Sequence, residues 1–142
     1  MSARIFLVAA EASGDALGAN LVRALRARDA ALDIQGIGGP AMAGAGVPSA
    51  MAIDDLAILG FVEGLMAYGR VVKRADEATD AIVAAQPDVV VLIDSWGFTL
   101  RVAQRLKLRL PHVPRIKYIG PQVWATRPGR AKTLAGAVDH LI

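Results

Sequence analysis

The chain has 142 residues, of which 54% are apolar and 20% charged, so it is long enough and apolar enough to bury the core of one domain. It contains no cysteine, which excludes a disulfide framework and a thiolate metal site. The net charge of +3 and the 5% of aromatic residues are too small to indicate a nucleic-acid-binding protein, although a mild positive excess favours anionic partners. No apolar stretch reaches the roughly 18 residues of a membrane-spanning helix, and the run at 4–10 is interpreted as a strand, not a signal peptide.

Short apolar runs alternate along the chain with helical patterns. The runs predict buried strands, and Pro87 is expected to end the long helical stretch because proline disfavours helix in the residue before it. Strands that alternate with helices indicate βαβ units, and hence an α/β fold with a parallel sheet. In chain order the sequence predicts a strand at 4–10, a helix at 15–28, a strand at 33–40, a short helical turn in the following connection, one or two helices at 61–86, a strand at 88–94, a helix at 98–109, a strand at 115–120, a helix from 128 to 138 and a strand at 138–142.

The predicted strand ends indicate where a ligand would bind. The carboxyl ends of parallel strands lie on one edge of the sheet, and open α/β sheets bind their ligands there. The first strand-to-helix turn lacks the G-x-G-x-x-G pattern of a dinucleotide site, and no acidic or histidine cluster has metal-ligand spacing, so we predict no metal. Four segments follow strand ends and are expected to converge on this edge: 11–15, 38–40, 94–98 and 120–130.

The first of these turns, "EASGD" (11–15), has two interpretations. Ser13 or Asp15 would cap the following helix by accepting hydrogen bonds from its free N–H groups. Alternatively, Glu11, Ser13 and Asp15 form a hydroxyl- or sugar-binding turn, because carboxylates accept hydrogen bonds from hydroxyl groups and repel a bare phosphate. Glu11 follows an apolar strand, where we expect it to be partly desolvated, and this favours the second interpretation.

Two further strand ends carry candidate chemistry. Asp94 ends the strand "VVVLID", where a carboxylate can orient and deprotonate an attacking hydroxyl group; the alternative is that it caps the next helix. Trp124 is followed by Arg127 and Arg130 near a predicted helix start, which favours anions such as a substrate phosphate. The alternative for this basic cluster is a solvated surface.

The segment 56–74 places apolar residues beside basic ones. This combination is typical of a surface that binds an anionic membrane, although packing in the core explains the apolar residues equally well. The candidate membrane-facing residues are Leu59, Phe61, Val62, Leu65, Met66, Arg70, Lys73 and Arg74.

Six segments together resemble the lipid-A-disaccharide synthases, a family of glycosyltransferases of the two-domain GT-B type. The resemblance covers nearly the whole chain and keeps the family's order and spacing. It implies that residues 1–142 form an incomplete, Rossmann-like N-terminal domain on the acceptor side, without the C-terminal donor-binding domain and inactive by itself. The segments are "EASGD" (11–15), "GIGGPAM" (36–42), "LGFVEGL" (59–65), "PDVVVLIDS" (87–95), "GPQVWATRPGR" (120–130) and "VDHLI" (138–142).

The resemblance also implies an activity: transfer of 2,3-diacylglucosamine from its UDP ester to 2,3-diacylglucosamine 1-phosphate, with inversion and without a metal or cofactor. It implies that Asp94 is the base and that Glu11, Ser13 and Asp15 lie near the acceptor. Trp124, Arg127 and Arg130 would bind substrate, and the segment 59–74 would face the acyl chains and lipids of the inner membrane. The expected location is therefore cytoplasmic and peripheral at that membrane.

Two other functions fit the same elements. One is an α/β module that binds a sugar nucleotide or sugar phosphate without chemistry, although the missing phosphate-loop glycines disfavour nucleotide binding. The other is a different GT-B-fold enzyme, such as a UDP-sugar 2-epimerase, which would leave a membrane-facing helix unexplained.

Overall fold

The computed structural model of the chain describes residues 3–52, 65–93, 97–118 and 129–142, and for 65–67 and 129–131 it describes the backbone alone. Strands and helices alternate along these segments, as the sequence predicts. They are β1 (Arg4–Ala9), α1 (Ala12–Arg28), β2 (Asp33–Ile37), α2 (Pro40–Gly44), α3 (Leu65–Ala85), β3 (Val89–Ile93), α4 (Gly97–Arg109), β4 (Arg115–Tyr118), α5 (Gly129–Ala137) and β5 (His140–Leu141).

The strands form one parallel sheet in the order β2-β1-β3-β4-β5, which confirms the predicted α/β class. From β1 the chain moves outward to β2, then crosses back over β1 to build β3, β4 and β5 on the other side. Parallel strands joined by helices give this doubly wound, Rossmann-like arrangement, with its switch point between β1 and β3. The central strands are apolar on both faces because helices cover both.

Each face of the sheet packs against its own helices. On one face Leu92 of β3 belongs to a buried cluster with Ile82 of α3 and Leu106 of α4. On the other face the next residue, Ile93, belongs to a cluster with Val22 of α1. This alternation follows from the two-residue period of a strand, which directs successive side chains to opposite faces.

One helix begins earlier than the sequence predicts, and another ends where a proline was expected to end it. α1 begins at Ala12, three residues before the predicted start, so Ser13 and Asp15 lie in its first turn. α3 ends at Ala85, and Gln86 adopts a left-handed φ of 49° immediately before Pro87. Proline therefore ends this helix as expected. In the described parts of the chain, no helix is both long and apolar enough to cross a membrane.

Candidate functional site

Four neighbouring strands end at one level of the sheet, which we call the carboxyl rim. The register pairs Val8 of β1 with Ile37 of β2, and Ala9 of β1 with Ile93 of β3. Ile93 in turn pairs with Tyr118, the last residue of β4. The four strand ends therefore lie along one edge of the sheet, as the sequence predicts; residues 94–96 and 119–128, which follow β3 and β4, lie outside the described residues.

At the switch point, the connections that follow β1 and β3 each carry a carboxylate, and these two strands are neighbours in the sheet. Glu11 follows β1 by two residues, and Asp94 follows β3 by one. Glu11 is the N-cap residue of α1, with extended backbone, and its side chain makes no capping hydrogen bond. Its side chain is exposed, so the expected desolvation is wrong. The chain turns out of the sheet at this point, and the Glu11 side chain faces solvent at the carboxyl rim. Asp94 lies outside the described residues.

Asp15, unlike Glu11, is buried. It is only 4% exposed, and its carboxylate accepts three backbone hydrogen bonds from the start of α2. The donors are the N–H groups of Gly39, Ala41 and Met42, each at 2.9 Å. The prediction that Ser13 or Asp15 caps α1 is wrong, because Glu11 occupies that position and Asp15 caps α2 instead. A role for Ser13, which is exposed, or for Asp15 in substrate binding stays a prediction.

Close packing brings the start of α1 against the sheet. A Cβ atom on Gly18 would lie 2.7 Å from Sδ of Met42 and 3.3 Å from Cδ1 of Ile93. A side chain at this position would require Met42 to shift, so Gly18 allows α1 to pack closely against α2 and the end of β3. Together with the hydrogen bonds of Asp15, this contact holds the first two turns of α1 against the start of α2.

Two buried basic side chains on β4 escaped the sequence analysis. Lys117 is 2% exposed, and its Nζ donates to Oγ1 of Thr99 at 3.0 Å; Thr99 is 1% exposed in the first turn of α4. Arg115, two residues earlier on the same face, donates from Nε to the carbonyl of Ala137 at 3.0 Å. The signal was present in the alternation of "RIKY", since basic residues two positions apart in a strand share one face.

The segment predicted to face a membrane is described in part. Arg70 and Lys73 are exposed and lie three positions apart on α3, so they share one stripe of the helix. Arg74 is half-buried and forms an ion pair with Glu77 at 2.8 Å. Leu65 and Met66 belong to α3 by their backbone, and Leu59, Phe61 and Val62 lie outside the described residues.

The same helix carries an exposed aromatic ring near its start. Tyr68 is 57% exposed, and the guanidinium carbon of Arg101 lies 5.1 Å from its ring centroid, within cation–π range. Arg101 also donates to the carbonyl of Gly97 at 2.9 Å. Gly97 begins α4 just after the end of β3, so the aromatic and basic residues of α3 lie at the carboxyl rim.

The remaining predicted site residues follow β4. Trp124 and Arg127 lie outside the described residues, and Arg130 is the second residue of α5, described by its backbone. Among the side chains that the structure does describe, no group of three His, Asp or Glu residues is arranged to hold a metal ion.

Comparison with protein families gives a match over almost the entire chain. Residues 5–142 match the family model described as "Lipid-A-disaccharide synthetase". Proteins named lipid-A-disaccharide synthase are 46% identical in Nitrobacter hamburgensis, over 99% of this chain and 36% of the relative, and 45% identical in Rhodopseudomonas palustris, over 97% and 35%. The one from Bradyrhizobium diazoefficiens is 42% identical over 98% and 36%. The chain thus spans about a third of the length of the curated relatives it matches.

Solved structures share the fold at much lower identity. A putative UDP-N-acetylglucosamine 2-epimerase from Listeria monocytogenes superposes with a TM-score of 0.67 at 12% identity, over 99% of this chain and 38% of that one. The UDP co-structure of MnaA from S. aureus gives 0.65 at 11% identity, over 97% and 37%. These likenesses show a common fold of the parallel sheet and its helices.

Proposed function

Because this chain belongs to the lipid-A-disaccharide synthetase family, we propose that it is the acceptor-side part of a lipid-A-disaccharide synthase, an inverting glycosyltransferase. The proposed reaction transfers 2,3-diacylglucosamine from its UDP ester to the 6-hydroxyl of 2,3-diacylglucosamine 1-phosphate. The products are the β-1,6-linked disaccharide 1-phosphate and UDP. The family match over residues 5–142 carries this proposal. Its structural support is the pair of carboxylate-bearing connections at the switch point of the sheet.

The proposed mechanism assigns the proton transfer to Asp94. In an inverting transfer the acceptor oxygen attacks the anomeric carbon on the face opposite UDP, so the new bond forms as the bond to UDP breaks. The attacking hydroxyl loses its proton, and a carboxylate within hydrogen-bond reach accepts it. Asp94 directly follows β3, at the edge where open α/β sheets bind ligands. It is therefore our candidate for the base.

The other predicted site residues are proposed to bind substrate. Glu11 and Ser13 are exposed at the carboxyl rim, where their oxygens can accept hydrogen bonds from acceptor hydroxyl groups. Asp15 contributes by holding α1 against α2. We propose that Trp124, Arg127 and Arg130, which follow β4, bind the sugar and its phosphate, and that neither a metal nor another cofactor takes part.

The domain assignment is part of the same proposal. Residues 1–142 are proposed to be an incomplete N-terminal domain of a two-domain GT-B fold, whose second domain supplies the donor site. We expect this chain alone to bind the acceptor without turnover. The fold shared with UDP-sugar 2-epimerases is compatible with this assignment, since the shared part is 38% of the Listeria chain.

The proposal includes a peripheral location at the cytoplasmic surface of the inner membrane. Both proposed substrates carry acyl chains, so an enzyme that works at a bilayer surface reaches them directly. The exposed Tyr68, Arg70 and Lys73 on α3 support this location, because basic and aromatic side chains on one helix suit the interface of an anionic membrane.

Equilibrium binding to two ligands tests the proposed function. The chain is titrated with diacylglucosamine 1-phosphate in mixed micelles and, separately, with UDP. We expect it to bind the acceptor and not UDP, and expect Asp94→Ala to weaken acceptor binding about tenfold, the value of one hydrogen bond to a charged group. Asp29→Ala is the matched control, because Asp29 is an exposed carboxylate at the end of α1 that bonds only locally, to the N–H of Ala31.

Tight UDP binding without acceptor binding would overturn the proposal. It would favour the nucleotide-binding module or the epimerase-like enzyme. If Asp94→Ala and Asp29→Ala bind the acceptor equally well, the proposed substrate stands. Asp94 would then have no part in binding it.

A further inference from the structure

We propose that Arg101 of α4, held by the ring of Tyr68, binds a phosphate monoester at the carboxyl rim. The inference deepens the proposed function and rests on it for the identity of the ligand, since the acceptor named there carries such a group as its 1-phosphate. It adds a residue of α4 to the proposed substrate-binding residues. Binding of a soluble phosphate ester can be measured without lipid or turnover, so the two proposals can fail separately.

The first observation is a series of contacts between α3 and α4. Arg101, Arg105 and Arg109 lie four positions apart on α4, so they follow one another along one side of the helix. Nε of Arg105 lies 2.6 Å from Oδ1 of Asp76, and Nη1 of Arg109 lies 2.5 Å from Oδ1 of Asp80. The two later arginines are therefore paired with carboxylates of α3. Arg101, the one nearest the carboxyl rim, has a different kind of partner.

The partner of Arg101 is the aromatic ring of Tyr68. The guanidinium carbon lies 5.1 Å from the ring centroid, and such a contact attracts the cation without cancelling its charge. Within residues 3–52, 65–93, 97–118 and 129–142, no carboxylate forms an ion pair with Arg101. The half-buried guanidinium group thus keeps a net positive charge that an external anion can neutralise.

A second contact fixes the orientation of this guanidinium group. Nη1 of Arg101 donates to the carbonyl of Gly97 at 2.9 Å, one turn earlier on α4. The ring and the carbonyl together restrict both the plane and the rotation of the group. A guanidinium group has five N–H donors in a rigid fork, and among the described residues the carbonyl of Gly97 is the one acceptor of the Arg101 side chain. The remaining donors can bind two oxygens of one anion in parallel.

The place of Arg101 in the fold suits a ligand. Arg101 is in the second turn of α4, which begins at Gly97, just after the end of β3. Open α/β sheets bind their ligands at this edge. Arg70 is exposed near the start of α3, and its charge adds to that of Arg101. The positive potential at this part of the carboxyl rim favours an anion.

A phosphate monoester matches this arrangement better than a carboxylate does. It carries about 1.5 to 2 negative charges at neutral pH and offers three oxygens, whereas a carboxylate carries one charge and offers two oxygens. The arginine fork binds two phosphate oxygens, and the third stays accessible to water or to a second cation. The geometry therefore favours a phosphate group as the ligand.

A titration followed by NMR tests the proposal. The ¹⁵N-labelled chain is titrated with N-acetylglucosamine 1-phosphate, a soluble sugar phosphate, and with N-acetylglucosamine as the phosphate-free control. We expect the side-chain Nε–H signal of Arg101, assigned from its loss in Arg101→Gln, to shift saturably with the phosphate ester alone. Arg101→Gln should weaken binding about tenfold, the value of one hydrogen bond to a charged group.

Arg105→Gln is the matched control for this titration. It removes the same charge one turn further along α4, from a residue that is already paired with Asp76, and it should bind the phosphate ester as the parent chain does. Arg101→Lys keeps the charge without the fork and should recover only part of the affinity. If Arg101→Gln binds the phosphate ester as tightly as Arg105→Gln, the proposal is overturned.

Two variants of Tyr68 test its positioning role without changing Arg101. Tyr68→Phe keeps the ring and should bind the phosphate ester as the parent chain does. Tyr68→Leu removes the ring and should weaken binding several-fold, because the released guanidinium group must then be ordered on binding. Tyr68 is an exposed residue, so we expect both variants to fold. If both bind like the parent chain, the ring does not hold Arg101 for a ligand, and the proposal is overturned.

Vesicles distinguish a sugar phosphate from a lipid headgroup. Flotation of the parent chain and Arg101→Gln is compared with vesicles that contain phosphatidic acid, whose headgroup is also a phosphate monoester. Equal flotation, with the sugar phosphate bound less tightly by Arg101→Gln, supports the substrate site. Flotation lost in Arg101→Gln, with no sugar phosphate bound by the parent chain, would overturn that site and assign Arg101 to a lipid headgroup. Sugar phosphate binding without binding of the acceptor in micelles would overturn the proposed function and leave this proposal standing.

Discussion

Asp15 and Gly39 stand so close that the carboxylate occupies the space of a side chain on the glycine. The N–H of Gly39 donates to Oδ1 of Asp15 at 2.9 Å, and a Cβ atom on Gly39 would lie 2.7 Å from Oδ2. Gly39 has an ordinary extended backbone, with a φ of −110°, so its identity is required by this contact and not by its conformation. The start of α2 is therefore shaped around a carboxylate of α1.

Replacing Asp15 should destabilise the protein. Asp15→Ala leaves three buried or half-buried N–H groups of α2 without this acceptor, and we expect a loss of about 2–4 kcal/mol in the free energy of unfolding. Asp15→Asn keeps one acceptor oxygen and should lose less. Urea unfolding measures both. Asp29→Ala, at an exposed carboxylate with a local bond, should lose no more than about 1 kcal/mol; equal losses at the two positions would refute this account.

Gly39→Ala and Gly44→Ala form a matched pair. Gly39 immediately precedes α2, and Gly44 is the last residue of the same helix. The methyl group that Gly39→Ala introduces meets the Asp15 carboxylate, whereas nothing lies within 4 Å of a Cβ atom on Gly44. We expect Gly39→Ala to lower the thermal midpoint. Gly44→Ala should be neutral or should stabilise by up to about 1 kcal/mol, since alanine is the better helix former. If the two variants have the same thermal midpoint, the contact between Gly39 and the Asp15 carboxylate does not limit the residue at position 39.

Leu92→Ala tests the packing between β3 and the helices. Leu92 is 0% exposed in the cluster with α3 and α4, so truncation should cost about 2–5 kcal/mol. Leu108 is 84% exposed on α4, and Leu108→Ala should change the free energy of unfolding by less than about 0.5 kcal/mol. Denaturant titration gives the free energy of unfolding of both variants. A loss confined to Leu92→Ala shows that burial of the side chain, and not the leucine itself, provides the stability.

The exposed basic stripe of α3 predicts binding to anionic vesicles. We expect the double variant Arg70→Glu and Lys73→Glu to lose most of its flotation with vesicles that contain anionic lipid, because each basic residue near such a surface contributes about 1 kcal/mol. The matched control reverses Arg23 and Arg28, which are exposed on α1 across the sheet. If both double variants float equally well, the stripe has no part in membrane binding.

The sequence predicted the sheet well because its signals are local. The apolar run of β3 and the proline after α3 each act on their own few residues, and both gave the observed elements. The start of α1 was missed for a physical reason: Ser13, Gly14 and Asp15 are poor residues for a helix interior. Their helical conformation is accompanied by bonds between Asp15 and residues 24 to 27 positions away, which no local pattern shows.

The candidate site was less accessible to prediction than the fold. The position of Glu11 at the carboxyl rim follows from the chain order of the elements, but its exposure depends on how α1 leaves the sheet. Lys117 and Arg115 would be placed on the surface by composition alone. Their burial depends on the helices α4 and α5 that cover β4, and therefore on tertiary packing.

The strand order also has a consequence for folding. β1 lies inside the sheet, and the bond from the N–H of Arg4 to Asp88 joins residues 84 positions apart. At translation rates of roughly 5–20 residues per second, β1 and β2 emerge seconds before β3 can cover the second edge of β1. That edge belongs to an apolar strand, which is a template for wrong pairing while it stays open. We therefore expect long-range closure to slow the folding of this sheet, and chaperone binding during synthesis to concentrate on β1.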